Sequence, residues 1–139
     1  MKKVISLLMS FVMLLSVTAG VDLSAYAADA TSGKCGDSAY WNYDKDTKTL
    51  TISGTGMMDN YFDSEDTPWY EFCRGIKKIS IGNNITGIGK AVFEDCSSLT
   101  SVKIPNSVTS IGDSAFEDCS SLTGVKIPNS VKSIGCWAF

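Results

Sequence analysis

The second half of this chain repeats itself with a fixed period of 23. Phe93, Phe116 and Phe139 are spaced by this period, and the segment 122–139 matches the segment 99–116 at 14 places. A fixed repeat of about 20 to 50 residues is the signature of a solenoid, in which each repeat forms one coil and stacks on the previous one. We therefore predict two full coils and one incomplete coil, at 76–98, 99–121 and 122–139.

The residue pattern within one coil predicts a strand followed by a short helix. In the second coil Val102 and Ile104 alternate with polar residues, which is the period of a strand that buries one face. After Ile111 apolar residues recur at four-residue steps, as on one face of a helix. Ser114 and Glu117 form an S-x-x-E capping box where a short helix or a turn is expected to begin. The predicted fold class is a repeat solenoid, α/β or mainly β, whose coils contribute parallel strands.

A segment of different character, 28–75, precedes the coils. Trp41 and Tyr43 alternate with polar residues, and so do Leu50 and Ile52 on the other side of a polar turn. Two such runs joined by a short turn predict a β-hairpin. We expect this hairpin to form an N-terminal cap that covers the first coil.

The first residues have the three parts of a secretory signal peptide. Lys2 and Lys3 precede an apolar run at 4–19, and small residues at 25 and 27 form a cleavage site. The run contains serines and is shorter than the roughly 20 apolar residues of a membrane span. The sequence therefore predicts cleavage after Ala27, a secreted or cell-surface location, and a mature chain that does not span the membrane.

The charge of the predicted mature chain, 28–139, excludes nucleic acid as a partner. Removal of Lys2, Lys3 and Asp22 with the signal peptide changes 12 basic and 15 acidic side chains to 10 and 14, for a net charge of −4. Binding to nucleic acid needs a clustered basic surface. The expected partners are instead proteins or cell-surface ligands.

Three of the five cysteines occupy one slot of successive repeats. Cys73, Cys96 and Cys119 are each separated from the next by one repeat period. Side chains in one slot of a solenoid run parallel into the interior, whereas a disulfide needs them turned towards each other. We therefore predict buried free thiols at these positions, and leave open a bridge from Cys35 or Cys136.

Catalytic and metal-binding chemistry has few candidate residues. The chain contains no histidine, and none of its serines or cysteines has a base at a known motif spacing. An acidic loop raises calcium as a hypothesis, but it lacks the alternating acids and central glycine of the known calcium loop, so a solvated insertion is favoured; its acids are Asp59, Asp63, Glu65 and Asp66. We predict no enzyme activity, no cofactor and no metal.

The repeat resembles a known family. Leu99, Val102 and Ile104 fit an L-x-x-L-x-L core, and "IPNSV" occurs at both Ile104 and Ile127. In these residues the chain is similar to the leucine-rich repeat, and more closely to its BspA-like bacterial surface variety. The resemblance implies a curved solenoid on a secreted or surface protein, no catalytic site, and a role in adhesion to proteins or other cells.

A binding face is predicted on the side of the strands that points away from the core. Its residues recur on neighbouring strands: Ser80, Ser101, Lys103, Gly124 and Lys126. A structural spacer that only displays other domains is one alternative function. A glycan-binding module that uses Trp41, Trp69 and Tyr70 as an aromatic platform is another.

Overall fold

The computed structural model of this chain describes residues 30–139. The predicted signal peptide at 1–27 lies outside the described residues. The described part is mostly β-sheet, and none of its helices is long and apolar enough to cross a membrane. Its elements are β1 (Ser32–Lys34), β2 (Ser38–Asp44), β3 (Thr49–Met57), a 3-10 turn (Ser64–Asp66), α1 (Tyr70–Cys73), β4 (Lys78–Ile81), β5 (Ile85–Ile88), β6 (Ser101–Lys103), β7 (Ser110–Ile111) and β8 (Ser133–Ile134).

The strands form two ladders that share β3. In the first sheet β1, β2 and β3 pair antiparallel, and β3 continues into β4 and β6 in parallel. In the second sheet the end of β3 pairs in parallel with β5, followed by β7 and β8. Parallel partners on successive coils are separated by one repeat period, as Lys78 faces Ser101 and Ser110 faces Ser133. The repeat period is therefore also the hydrogen-bond register.

Two glycines let β3 serve both sheets. Its first half pairs with β4, whereas Gly56 pairs with Ile85 of β5. Gly54 and Gly56 have φ angles of 87° and 85°, a left-handed conformation that L side chains rarely adopt. At Gly54 a side chain would also collide with the Ser38 carbonyl oxygen. These glycines redirect the strand from one sheet to the other.

Stacked aromatic rings run through the core from coil to coil. The Trp69 ring centroid lies 5.8 Å from that of Phe93, and Phe116 lies 5.2 Å from both Phe93 and Phe139. Phe116 is 1% exposed, which confirms that it is a core residue, while Phe139 is 54% exposed. Such ring pairs contribute about 0.5–1.5 kcal/mol each beyond the burial of their area.

Serine and threonine side chains join each coil to the one before it. The Thr100 hydroxyl donates to the Lys77 carbonyl oxygen at 3.1 Å, and the Ser130 hydroxyl donates to the Val108 carbonyl oxygen at 2.7 Å. The Lys77 carbonyl oxygen also accepts the Thr100 amide, so the Thr100 hydroxyl adds a second bond at an exposed position, whereas the Ser130 bond is partly buried. Hydroxyl residues in the repeat are therefore part of its packing.

Of the two alternatives predicted at Ser114, the turn is confirmed and the short helix is wrong. Ser114 and Asp118 have φ angles of 53° and 56°, and the segment forms turns. The Ser114 N–H donates to the Cys136 carbonyl oxygen and the Phe116 N–H to that of Ala138, both at 2.9 Å. These amides bond across to the next coil, so they are not available for bonds along a helix. A second strand, β7, which the sequence did not predict, lies just before this segment.

The prediction of free thiols is wrong for two of the three cysteines in the shared slot. Cys73 and Cys96 form a disulfide, with their Cα atoms 4.8 Å apart. This distance lies within the range that a disulfide spans, because stacked coils approach as closely as paired strands. The shared slot thus favours a bridge, contrary to the prediction. Cys119 is a buried free thiol, as predicted.

Replacing Phe116 with alanine should destabilise the protein by about 3–5 kcal/mol, because the side chain stacks on rings from both neighbouring coils. Chemical denaturation measures the loss. Thr123→Ala is the control, because the Thr123 side chain is exposed. Thr109 is also exposed, but it is not a suitable control because its hydroxyl donates to the Thr86 carbonyl oxygen. Equal losses for the two variants would contradict the packing described above.

Reducing the Cys73–Cys96 disulfide should cost about 3 kcal/mol, because it closes a loop with a sequence separation of 23. The measurement compares thermal unfolding of oxidised protein with protein reduced in denaturant and refolded with reductant. The double variant Cys73→Ser with Cys96→Ser should unfold at the same temperature with and without reductant. If the wild-type transition does not move on reduction, the bridge does not stabilise the fold.

Candidate binding surface

Three of the five predicted site residues lie on paired strands of the first sheet. Ser80 is on β4, and Ser101 and Lys103 are on β6. Lys103 is directly opposite Ser80, and their side chains point away from the core, where Ile79 is fully buried. We call the solvent-facing side of the first sheet the outer face.

The other two predicted site residues lie outside the ladder. Gly124 and Lys126 are exposed, but no strand is assigned to this part of the third coil. Gly124 occupies the slot of Ser101 and has no side chain to pack; no atom lies within 4 Å of a side chain placed there. Glycine also loses more backbone entropy than any other residue when a strand forms. The third coil therefore pairs with the second coil through β8 in the second sheet, and it adds no strand to the first sheet.

The outer face continues across the hairpin, which the sequence did not predict. Ser80 is opposite Thr51 of β3, and Thr51 is opposite Asn42 of β2. Asn42, Thr51, Ser80 and Lys103 form a line across four strands, which we call the polar row. The outward position of Asn42 is readable from the alternation in β2. The register between β3 and β4 is not, because no repeat relates these strands.

The hairpin end of the outer face carries an exposed ring and a cation. Tyr40 is 44% exposed, and the Lys34 ammonium lies 5.7 Å from its ring centroid. The Asp44 carboxylate accepts hydrogen bonds from the amides of Thr47 and Asp46, and these bonds lower its pKa. This carboxylate is therefore already engaged with the hairpin turn.

Acidic side chains gather in the turns that follow the second sheet. Burial, with the neighbouring charges of Asp95 and Glu117, raises the pKa of Glu94, although the Ser64 amide opposes the shift. The Glu94 Oε2 atom is shielded from solvent and accepts no hydrogen bond from the described residues. The Ser64 hydroxyl donates to Asp95 at 2.9 Å. Because Glu94 is half-buried, substitutions there disturb packing.

The aromatic platform proposed for sugars is wrong. Trp41 is 2% exposed and Trp69 is fully buried, and their rings meet edge to face at 5.8 Å. The Trp69 indole N–H donates to the Val92 carbonyl oxygen at 3.1 Å. Of the three platform residues only Tyr70 is exposed, at 36%. Both tryptophans are therefore core residues.

The acidic loop is organised by its own backbone. The Asp63 carboxylate accepts a hydrogen bond from the Glu65 amide at 3.0 Å and caps the 3-10 turn. Within residues 30–139, no three His, Cys, Asp or Glu side chains are grouped as ligands of a metal ion. This loop therefore offers local capping and no assembled metal site.

The buried thiols are poor nucleophiles. Burial raises the pKa of both Cys35 and Cys119 to about 12, and the charge of Asp59 adds to the effect at Cys35. The thiolate is the reactive form of cysteine. Both groups are therefore protonated at neutral pH, while Cys136 is an exposed thiol.

Residues 66–139 match the protein family described as BspA type Leucine rich repeat region (6 copies). No curated protein matches this chain. The predicted family resemblance is confirmed by the family match.

Among solved structures, the chain is similar to a leucine-rich repeat protein from Eubacterium ventriosum. The two share 35% sequence identity with a TM-score of 0.69, over 75% of this chain and 27% of that protein. A leucine-rich repeat protein from Bacteroides ovatus gives 24% identity and a TM-score of 0.48, over 72% of this chain and 30% of that one. The chain thus spans less than a third of either protein.

Alkylation with iodoacetamide at pH 8 should label Cys136 alone among the free cysteines, because Cys35 and Cys119 are buried and their pKa values lie near 12. Raising the pH to 10 should not change this result, since that pH is still below 12. Unfolding should expose the other two thiols. Mass spectrometry identifies the labelled residues, and native labelling of Cys119 would contradict its burial.

Proposed function

Because this chain belongs to the BspA-type leucine-rich repeat family, we propose that it is an interaction module that mediates adhesion to proteins or other cells through the outer face. The observation that carries the proposal is the polar row. Its members stand in register on four paired strands, above a core that holds the strands in place. Rigid strands preorganise a contact surface and so reduce the entropy lost on binding.

The same proposal gives the hairpin a structural role as the N-terminal cap of a solenoid whose coils follow the repeat period. The inward side chains of the hairpin, among them Leu50 and Ile52, are fully buried. They cover the side of the first coil that has no preceding coil. A solenoid needs such caps because each repeat contacts only its neighbours.

Export is part of the proposal. The predicted signal peptide at 1–27 supports a secreted or cell-surface location, with the cap at 28–75 and the repeats at 76–139 as the mature protein. A disulfide such as Cys73–Cys96 persists mainly in oxidising compartments outside the cytosol. A surface location agrees with a role in adhesion, because a partner outside the cell can then reach the outer face.

Reversing two charges, Lys103→Glu with Lys126→Glu, should weaken attachment and reduce its dependence on salt, because Lys103 is exposed on the outer face and Lys126 is exposed in the matching slot of the next coil. Attachment is measured to immobilised extracellular-matrix proteins and to whole cells. We expect little change in thermal stability, since neither lysine packs in the core.

The matched control is Lys90→Glu with Lys132→Glu, which changes the net charge equally on the side of the second sheet. This control should retain attachment. If it abolishes attachment while the outer-face variant has no effect, the outer face is not the site. If the unmodified protein attaches to nothing, the spacer function is supported instead.

A further inference from the structure

We propose that the outer face binds a linear acidic polysaccharide that lies across the strands, with one sugar unit on each strand. The inference rests on the proposed function, since it uses the same face, and it names the chemical class of the ligand. It adds the exposed ring of Tyr40 to the polar row.

The first argument is the chemistry of the polar row. Asn42, Thr51 and Ser80 place one amide and two hydroxyls in line. Amides and hydroxyls both donate and accept hydrogen bonds, as sugar hydroxyls do. Three small polar groups on a flat face match the edge of a sugar chain, which presents such groups repeatedly.

The second argument is spacing. Neighbouring strands lie about 4.8 Å apart, so residues in register recur at that distance along the row. This distance is close to the length of one hexopyranose unit in an extended polysaccharide. A sugar chain that crosses the strands therefore meets one polar side chain of the row at each unit.

The third argument is charge. The outer face presents Lys78 and Lys103, and Lys126 is exposed in the slot of Lys103 on the next coil, whereas the whole chain has a net charge of −3. Asp44 lies on the same side of β2 as Asn42, and its carboxylate keeps its negative charge while it accepts hydrogen bonds in the hairpin turn, so it offsets one of these lysines. The face is thus basic on an acidic protein, which favours carboxylate or sulfate groups on the ligand.

The fourth argument is the exposed ring beside the row. Tyr40 faces Ser53 in the same antiparallel pairing that joins Asn42 and Thr51, and Lys34 lies over its ring. An aromatic ring with one solvated face can stack on the apolar side of a sugar ring, while its hydroxyl remains hydrated. Tyr40 therefore closes the hairpin end of the site.

Among the described strand residues that point to solvent on the outer face, only Tyr40 is of a type that is common in the centre of tight protein interfaces. Protein hot spots are rich in tryptophan, tyrosine and arginine, and serine and threonine are under-represented. The large exposed apolar side chains of Met57 on β3 and Ile134 on β8 belong to the second sheet and line one surface depression there, and Phe62 lies under the Lys90 ammonium. The observations thus favour a sugar chain over a protein on the outer face.

The experiment titrates the full mature protein with galacturonic acid oligomers of increasing length and measures affinity by calorimetry. Affinity should rise with length up to about four units, because four strands carry the polar row, and then level off. The methyl-esterified oligomers, which have the same backbone without the charge, should bind at least about tenfold more weakly. Heparin oligomers test sulfate in place of carboxylate.

Variants measure the contributions of the charged and the neutral contacts separately. Lys103→Glu with Lys126→Glu should weaken binding by about tenfold or more, and Thr51→Val with Asn42→Ala by a few fold, since neutral hydrogen bonds contribute less than charged ones. Lys90→Glu with Lys132→Glu should leave the affinity unchanged. Polyglutamate of equal charge should bind several-fold more weakly than the sugar oligomers, because it lacks their hydroxyls.

The outcomes distinguish this inference from the proposed function. Equal binding of polyglutamate, equal binding of the methyl esters, or no dependence on length would overturn the sugar ligand. If no acidic polysaccharide binds but the outer-face lysine variant loses attachment to a protein, the inference fails and the proposed function stands. If neither ligand depends on the outer face, both fail.

Discussion

The parallel pairing of β3 with two strands of the first coil is the interaction on which the rest of the structure depends. Its first half pairs with β4 and its end pairs with β5, so one strand sets the register of both sheets. Each later coil repeats the pairing one period further along the chain. The glycines that bend β3 therefore act on the whole array, because a straight strand would serve only one sheet.

The repeat made the core predictable, and it did not reveal the backbone between core positions. Phe116 was correctly placed because residues in one slot must stack on each other in any solenoid. The helix at Ser114 was wrong because a capping box describes only local hydrogen bonds. In the folded chain the Ser114 amide bonds to the Cys136 carbonyl oxygen, and that contact depends on the presence of the next coil.

In the candidate site, too, some residues could be predicted from the sequence and others could not. Ser80, Ser101 and Lys103 were identified as outward residues because strand alternation fixes the direction of each side chain. Asn42 and Thr51 were missed because their alignment with Ser80 depends on how β3 pairs with β4. That pairing joins the hairpin to the first coil, and no period relates the two. The residues that the structure adds to the candidate site therefore lie in the hairpin, outside the repeat.

The one-period spacing of Cys73 and Cys96 can be used to argue for a disulfide or against one. Side chains in one slot point the same way, and this direction alone suggests that they do not meet. Stacked coils, however, bring the Cys73 and Cys96 Cα atoms to a separation of 4.8 Å, so parallel side chains are near enough to bond. The same closeness puts Lys103 opposite Ser80 and the ring of Phe116 against that of Phe93. Each column of the repeat is therefore a set of contacts, and its chemistry follows from the residue type that occupies it.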